Sequence, residues 1–331
     1  MLHVRAIVPP DRTDEVCEVL AGCDGAVNIV VVRGAALSPR GDLVTGDVAR
    51  ESANEVLDAL QDLGIDRDGS ITVELIDLSM SVVAANAERR VPGHGDDAVV
   101  WDELDRQVTE GTVLTWSFVV FLVLATQIAA IAALTDSPIL VVGAMVLGPE
   151  FAAVAAICYG VVRWRWRQIL AGVRILLIGF PLAIAVTFLC ALAGRWLGVI
   201  ETAALPAERP LTAFIYSPDR WSFIVALLAG AAGVLSLTAG KASPLVGVFI
   251  SVTTVPAAGN LGVALALRHG SEIEGSLLQL GANFGGMVIA GTGTLLVQRG
   301  VWGFVLRRRG HRTSTGRPVR RRVRPGVGPH H

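Results

Sequence analysis

Glu150 is a carboxylate inside an apolar run, at the end of Gly143-Ala144-Met145-Val146-Leu147-Gly148-Pro149-Glu150. An acid within a membrane-length apolar segment is costly unless paired or hydrated, so Glu150 is a candidate for handling an ion or a polar solute. The proline before it removes a backbone hydrogen bond and collides with the carbonyl four residues back, which predicts a kink or break at that point. The run opens at Asp136-Ser137-Pro138. A second run repeats the plan without the acid: Ser243-Pro244, then Ser251, Thr253, Thr254, Pro256 and Asn260. Hydroxyl and amide groups in one run thus stand against a carboxylate in the other, with Asn283 as a further partner and Arg174 as the nearest countercharge. The candidate path is therefore Asp136, Ser137, Pro138, Gly143, Met145, Pro149, Glu150, Ser243, Pro244, Ser251, Thr253, Thr254, Pro256, Asn260 and Asn283. The competing reading is that Gly143, Ala144, Gly281 and Gly285 let helices pack closely, with Glu150 in a structural ion pair.

Other chemistry is poorly supplied. The chain has no His-Glu-x-x-His, no serine elbow and no pair of intramembrane aspartates, so no enzyme is expected. Cys17, Cys23, Cys158 and Cys190 show neither metal spacing nor a disulfide framework, and neither a metal nor a cofactor is expected.

The elements that must position these residues follow from a duplication. Trp116-Ser117-Phe118 is echoed by Trp221-Ser222-Phe223, and each copy then runs to a Ser-Pro pair and a second proline, Pro149 or Pro256. The 331 residues are 52% hydrophobic with mean hydropathy +0.57, which points to a polytopic membrane protein. Six segments are long and apolar enough to cross a bilayer: 114–135, 138–162, 169–197, 220–240, 244–267 and 275–303. The net charge of −1 hides an acidic front, with 22 Asp and Glu against 9 Arg in residues 1–112. Arg163-Trp164-Arg165-Trp166-Arg167 reads as a membrane-interface anchor. This loop and the nine arginines of 307–324 both fall on the cytoplasmic side if the N-terminus does. Three spans per copy then make repeat one (114–197) and repeat two (220–303) inverted in the membrane. Beside a span, the arginines suit lipid better than nucleic acid, which is not expected as a partner.

Residues 1–78 show the order βαββαβ, which suggests a cytoplasmic ferredoxin-like α+β domain. Residues 79–112 read as a linker and an amphipathic helix, in which Val100, Trp101, Leu104 and Val108 share a face. Its acidic opposite face favours packing under the bundle over lying on anionic lipid. Residues 306–331 read as a basic disordered cytoplasmic tail.

The stretch Leu134–Ala156, with Asp136-Ser137-Pro138 followed by Gly143-Ala144-Met145, resembles a family of bacterial and archaeal hydrophobic membrane proteins, the domain of unknown function 389 family. Asn260-Leu261-Gly262-Val263-Ala264 is similar to the family too, and the likeness covers roughly residues 99–305. It implies a multi-pass protein of the bacterial cytoplasmic (inner) membrane and carries no activity. The expectation is a transporter or channel for a small solute or ion, regulated by the front domain. A membrane-anchored sensor and a lipid-organising structural protein are the alternatives. Lipid, a second copy of the chain and a small ligand of the front domain are the partners considered.

Overall fold

The computed structural model describes residues 1–76, 79–91, 98–200, 209–240 and 253–313, with side chains to Val301. Ser243, Pro244 and Ser251, part of the candidate path, lie outside the described residues.

The front end is a four-stranded sheet with helices on one face. Strands β1 (Leu2–Val8), β2 (Ala26–Leu37), β3 (Arg40–Val48) and β4 (Ser70–Leu75) lie in the order β2-β3-β1-β4, every neighbouring pair antiparallel. Alternation sets the faces: Leu2, Val4, Ala6 and Val8 point to the core, as do Val44 and Val48 across the register Leu2↔Val48. Above them pack Val16 and Leu20 of α1 (Thr13–Gly22), Val56 and Leu60 of α2 (Ala53–Asp62), and Ile65 of the single turn α3 (Ile65–Asp68). One buried acid ties this layer together. Asp42 accepts from Thr13 Oγ1 at 2.8 Å and from the Gly34 amide at 2.7 Å, and Gly34 has the φ of 64° that only glycine adopts freely.

Two helices lead to the bundle. α4 (Val82–Arg90) begins at Ser81, whose hydroxyl accepts from the Ala84 amide. α5 (Trp101–Glu110) puts Leu104 and Val108 against Phe151, Val154 and Val162, while on its polar side Asp105 pairs with Arg165.

The rest is apolar helix: α6 (Trp116–Leu134), α7 (Pro138–Leu147), α8 (Phe151–Arg163), α9 (Trp166–Trp196), α10 (Arg220–Ala239), α11 (Thr254–Leu267) and α12 (Gly270–Thr313). Among the described residues four helices are long and apolar enough to cross a membrane, and α7 with α8 make a fifth candidate bent by 53°. α11, with 14 residues, is apolar but shorter. Large apolar side chains cover the outside as well, including Phe121, Leu177, Leu189, Leu228, Ile289 and Leu296, all exposed. Water would penalise so much apolar surface, and lipid does not. Residues 306–313 continue α12, so the tail assigned from sequence begins later than its first residue.

Two cores divide the bent pair. Val141 and Met145 of α7 join Phe118, Leu122, Phe180 and Leu261, whereas Phe151, Val154 and Tyr159 of α8 join Ala229, Val234 and Met287.

Candidate functional site: a buried polar line

The break between α7 and α8 is made by its sequence. Gly148-Pro149 cannot continue the helix, because Pro149 has no amide hydrogen to offer, and Glu150 takes the position just before α8. The Gly148 amide closes α7 on the Met145 carbonyl at 3.4 Å. Glu150 is 6% exposed, and its Oε2 has no hydrogen-bond partner among the described residues. A methyl group added to Gly148 would strike that carboxylate and come within 2.7 Å of Val255 Cγ2, so the break abuts the first turn of α11.

α11 starts at Thr254, with Pro256 in its first turn, where a missing amide hydrogen costs nothing. Pro256 therefore opens a helix instead of kinking one in mid-course. The hydroxyl just before this helix is a junction: Thr253 Oγ1 accepts from Gln279 Nε2 at 2.7 Å and from Asn283 Nδ2 at 3.0 Å. Next to it Thr254 Oγ1 is buried without a hydrogen-bond partner among the described residues, as is Gln279 Oε1.

α12 supplies the rest of the line. Glu272, Ser276, Gln279 and Asn283 recur at steps of four, three and four residues, which places them on one face of the helix. All four are buried. Asn260, two turns along α11, donates to Ser276 Oγ at 3.0 Å and to Glu272 Oε2 at 3.3 Å. At the far end Arg209 enters from the segment before α10. Its Nη1 donates to Asn260 Oδ1 at 2.9 Å and it pairs with Glu272. Asp136, at the α6–α7 turn with φ 47°, accepts from Thr212 Oγ1 at 2.6 Å and holds the same segment.

The structure thus divides the residues picked from sequence. Pro149, Glu150, Thr253, Thr254, Pro256 and Asn283 gather around the break and the start of α11. Asn260 and Asp136 lie further along, toward Arg209. Ser137 and Pro138 form the entry to α7, and Met145 is core packing. Gly143 sits on the outer face of α7 with nothing within 4 Å of an added Cβ. The same holds for Gly281 and Gly285, so among the described residues close helix contact does not explain these three glycines. No ion pair joins Arg174 to Glu150 among the described residues, and Asn260 and Asn283 are bonded elsewhere than to the acid.

Sequence reasoning missed Arg209, Glu272, Ser276 and Gln279. The stripe is legible as a period on α12, but an acid at the end of an apolar segment, as Glu272 is, looks solvated, and nothing local marks Arg209 as buried. In the anchor motif, Trp164 and Trp166 are exposed, while Arg163 stacks on Trp101 at 5.4 Å and Arg165 pairs with Asp105. Among the described residues no group of three or more His, Cys, Asp or Glu could hold a metal ion.

Apolar helices with apolar outer faces, a bent helix pair and a buried polar line define a helical membrane protein with a small α+β front end. Residues 145–289 match the family model described as Domain of unknown function (DUF389), so the chain carries a domain of that family. The match begins at Met145 and ends at residue 289, and therefore takes in the break, α11 and the whole stripe, while Asp136-Ser137-Pro138 precedes it. No curated protein and no solved structure matches the chain.

Proposed function

We propose that the protein is a six-span transporter or channel of the bacterial cytoplasmic membrane, moving a small polar solute or ion along the buried polar line under control of the front domain. The observation that carries this is Glu150. A nearly fully buried carboxylate oxygen, without a hydrogen-bond partner among the described residues, stands where a bent helix pair meets the start of another helix. In a purely structural bundle such an oxygen is a cost with no return, whereas paired, interrupted helices at corresponding places in two copies are how transport sites are built.

The finer architecture fits the same reading. Arg299, late in α12, donates to the Val162 carbonyl at the end of α8, and Arg195, at the end of α9, donates to the Ala266 carbonyl near the end of α11. With the 31 residues of α9 between these two contacts, they support a reading in which α6, α7–α8 and α9 run one way and α10, α11 and α12 the reverse, the pattern of inverted repeats. The strand order of the front end supports a ferredoxin-like domain. No catalytic step and no nucleic-acid partner belong to this reading, and lipid surrounds the bundle.

Two measurements test it. Purified protein in liposomes should move solute from a panel of ions, amines and small acids, and Glu150→Gln should change the rate several-fold; a silent panel with an unaffected variant rejects transport. Cysteine labelling should find loop 163–168 and the C-terminus inside and 198–219 outside. Labelling of both arginine-rich regions from outside rejects the orientation.

Arg50 of the front domain donates to the Thr238 carbonyl at the end of α10 at 2.9 Å, and this link favours a second reading as a membrane-anchored sensor. That reading requires a ligand for the front domain and intact signalling after Glu150→Gln.

A further inference from the structure

A guanidinium removed from solvent needs acceptors placed around it, and Arg209, whose side chain is 0% exposed, has them from three helices. Nη1 donates to Asn260 Oδ1 at 2.9 Å and to the Ala133 carbonyl at 3.3 Å. Nη2 pairs with the Glu272 carboxylate, and the guanidinium carbon stands 4.5 Å from the centre of the Tyr216 ring. Ala133 belongs to the last turn of α6, where carbonyls lack intrahelical partners and the helix dipole is negative. Among the described residues, the groups that meet the two terminal nitrogens and the face of the guanidinium present negative charge, namely a carboxylate, an amide oxygen, a helix-end carbonyl and a ring face, while Nε has no hydrogen-bond partner.

These acceptors are also tied to one another. Asn260 Nδ2 donates to Glu272 Oε2 at 3.3 Å and to Ser276 Oγ at 3.0 Å, and His269 Nδ1 lies 4.0 Å from Glu272 Oε1. The nest is a feature of α6, α11 and α12, while its occupant arrives on a connecting segment that Asp136 holds through Thr212 and the Leu211 amide. Stability does not account for a charge here, because a buried ion pair is often no better than well-packed apolar residues. Beneath the nest, the stripe continues through Ser276, Gln279 and Asn283 toward the break.

We propose that this nest is a recognition site for small organic cations of the guanidinium or alkylammonium class, closed at rest by the chain's own Arg209 acting as a tethered occupant. The proposal rests on the transport reading, since it names the solute that enters the polar line when the Arg209 segment moves away. An external cation replaces Arg209 against Glu272, Asn260 and the Ala133 carbonyl, and the neutral stripe below then offers hydroxyl and amide oxygens in sequence.

The test uses the full-length chain with methylguanidinium, and urea as its neutral planar counterpart. Arg209→Ala should melt below the wild type, and methylguanidinium should restore the melting temperature saturably while urea does not. Liposomes holding Arg209→Ala should take up labelled methylguanidinium several-fold faster than wild type, and adding Glu272→Gln should abolish both effects. If Arg209→Ala does not fold, Arg209→Lys keeps the charge but loses the forked contact, and should show a smaller gain in uptake. Restoration without faster uptake makes the nest structural and overturns the proposal, as does equal restoration by urea or none at all. Uptake of a different solute by the wild type, with methylguanidinium inert throughout, overturns the proposal and leaves the transport reading standing.

Discussion

At the scale of single residues, the polar groups of this chain differ in how their burial is compensated. Asp42 is fully compensated: the Gly34 amide first, and the Thr13 hydroxyl second, hold its carboxyl below the usual range. A carboxylate depressed on folding stabilises the fold above its unfolded pKa of about 3.9, and that contribution disappears as pH falls through the lower folded value. Acid unfolding of the front domain, followed by tryptophan-independent circular dichroism of the full chain, should therefore begin below about pH 4. Asp42→Asn should flatten this limb while lowering stability at neutral pH; an unchanged acid limb removes Asp42 from the account. Glu150 is the opposite case, and that contrast was legible, because an acid among apolar residues stands out in a sequence. Arg209 did not stand out. An arginine in a connecting segment is read as solvated, and only the approach of α6, α11 and α12 in three dimensions makes it buried.

At the scale of elements, glycine positions separate contact from periodicity. The competing reading of the sequence took Gly143, Ala144, Gly281 and Gly285 as helix contacts; Ala144 is buried in the core, while the close backbone approaches among the described residues include Gly230, whose added Cβ would strike the Met287 backbone, and Gly259, whose added Cβ would lie 2.7 Å from the Thr126 carbonyl. Backbone cannot swing aside as a side chain can. Gly230→Ala should thus cost about 1–3 kcal/mol through overpacking, whereas Gly281→Ala, facing open space in a helix, should cost nothing and gain up to about 1 kcal/mol. Detergent-solubilised unfolding of the two variants checks this, and equal effects at both sites reject the α10–α12 contact. The reason for the misassignment is physical: small residues recur in apolar helices for several reasons, and the sequence does not say which face meets a partner. The prolines were better signals, since Pro149, behind Gly148, removes a backbone hydrogen bond wherever its helix packs, although Pro181 shows that a proline alone need not end a helix, lying inside α9. Pro256 carried the same signal, and it lies in the first turn of α11.

At the scale of the whole molecule, the acidic front and the basic bundle were legible as separate objects, as was the packing of α5 under the bundle, but the joint at Arg50 was not. Arg50, in the 3-10 turn Arg50–Ser52 between β3 and α2, crosses to the end of α10. Its Nη2 donates to the Thr238 carbonyl at 2.9 Å and its Nη1 to Ala239 at 3.4 Å, while Nε reaches the Ala98 carbonyl at 3.2 Å and Glu103 lies at 3.4 Å. A cation is favoured at a helix C-terminus, where carbonyls lack partners and the dipole is negative, so Arg50 caps α10 from another domain. Gly240 follows with φ 67°, and a side chain there would come within 3.2 Å of Arg50 Nη1. Charge-assisted bonds of this kind are worth about 1.5–3 kcal/mol each, and removing the guanidinium strands the Thr238 and Ala239 carbonyls with it. Arg50→Ala should therefore loosen the front domain from the bundle without unfolding either. Hydrogen exchange should speed up at the last turn of α10 and in residues 98–103, while the β1 and β3 amides keep their protection. If the front domain exerts control, solute flux in Arg50→Ala liposomes should also lose its response to whatever the domain binds. Unchanged exchange at the end of α10 would show that the cap does not join the two parts, and control would then have to run through the α5–α8 contact, where Asp105 holds Arg165.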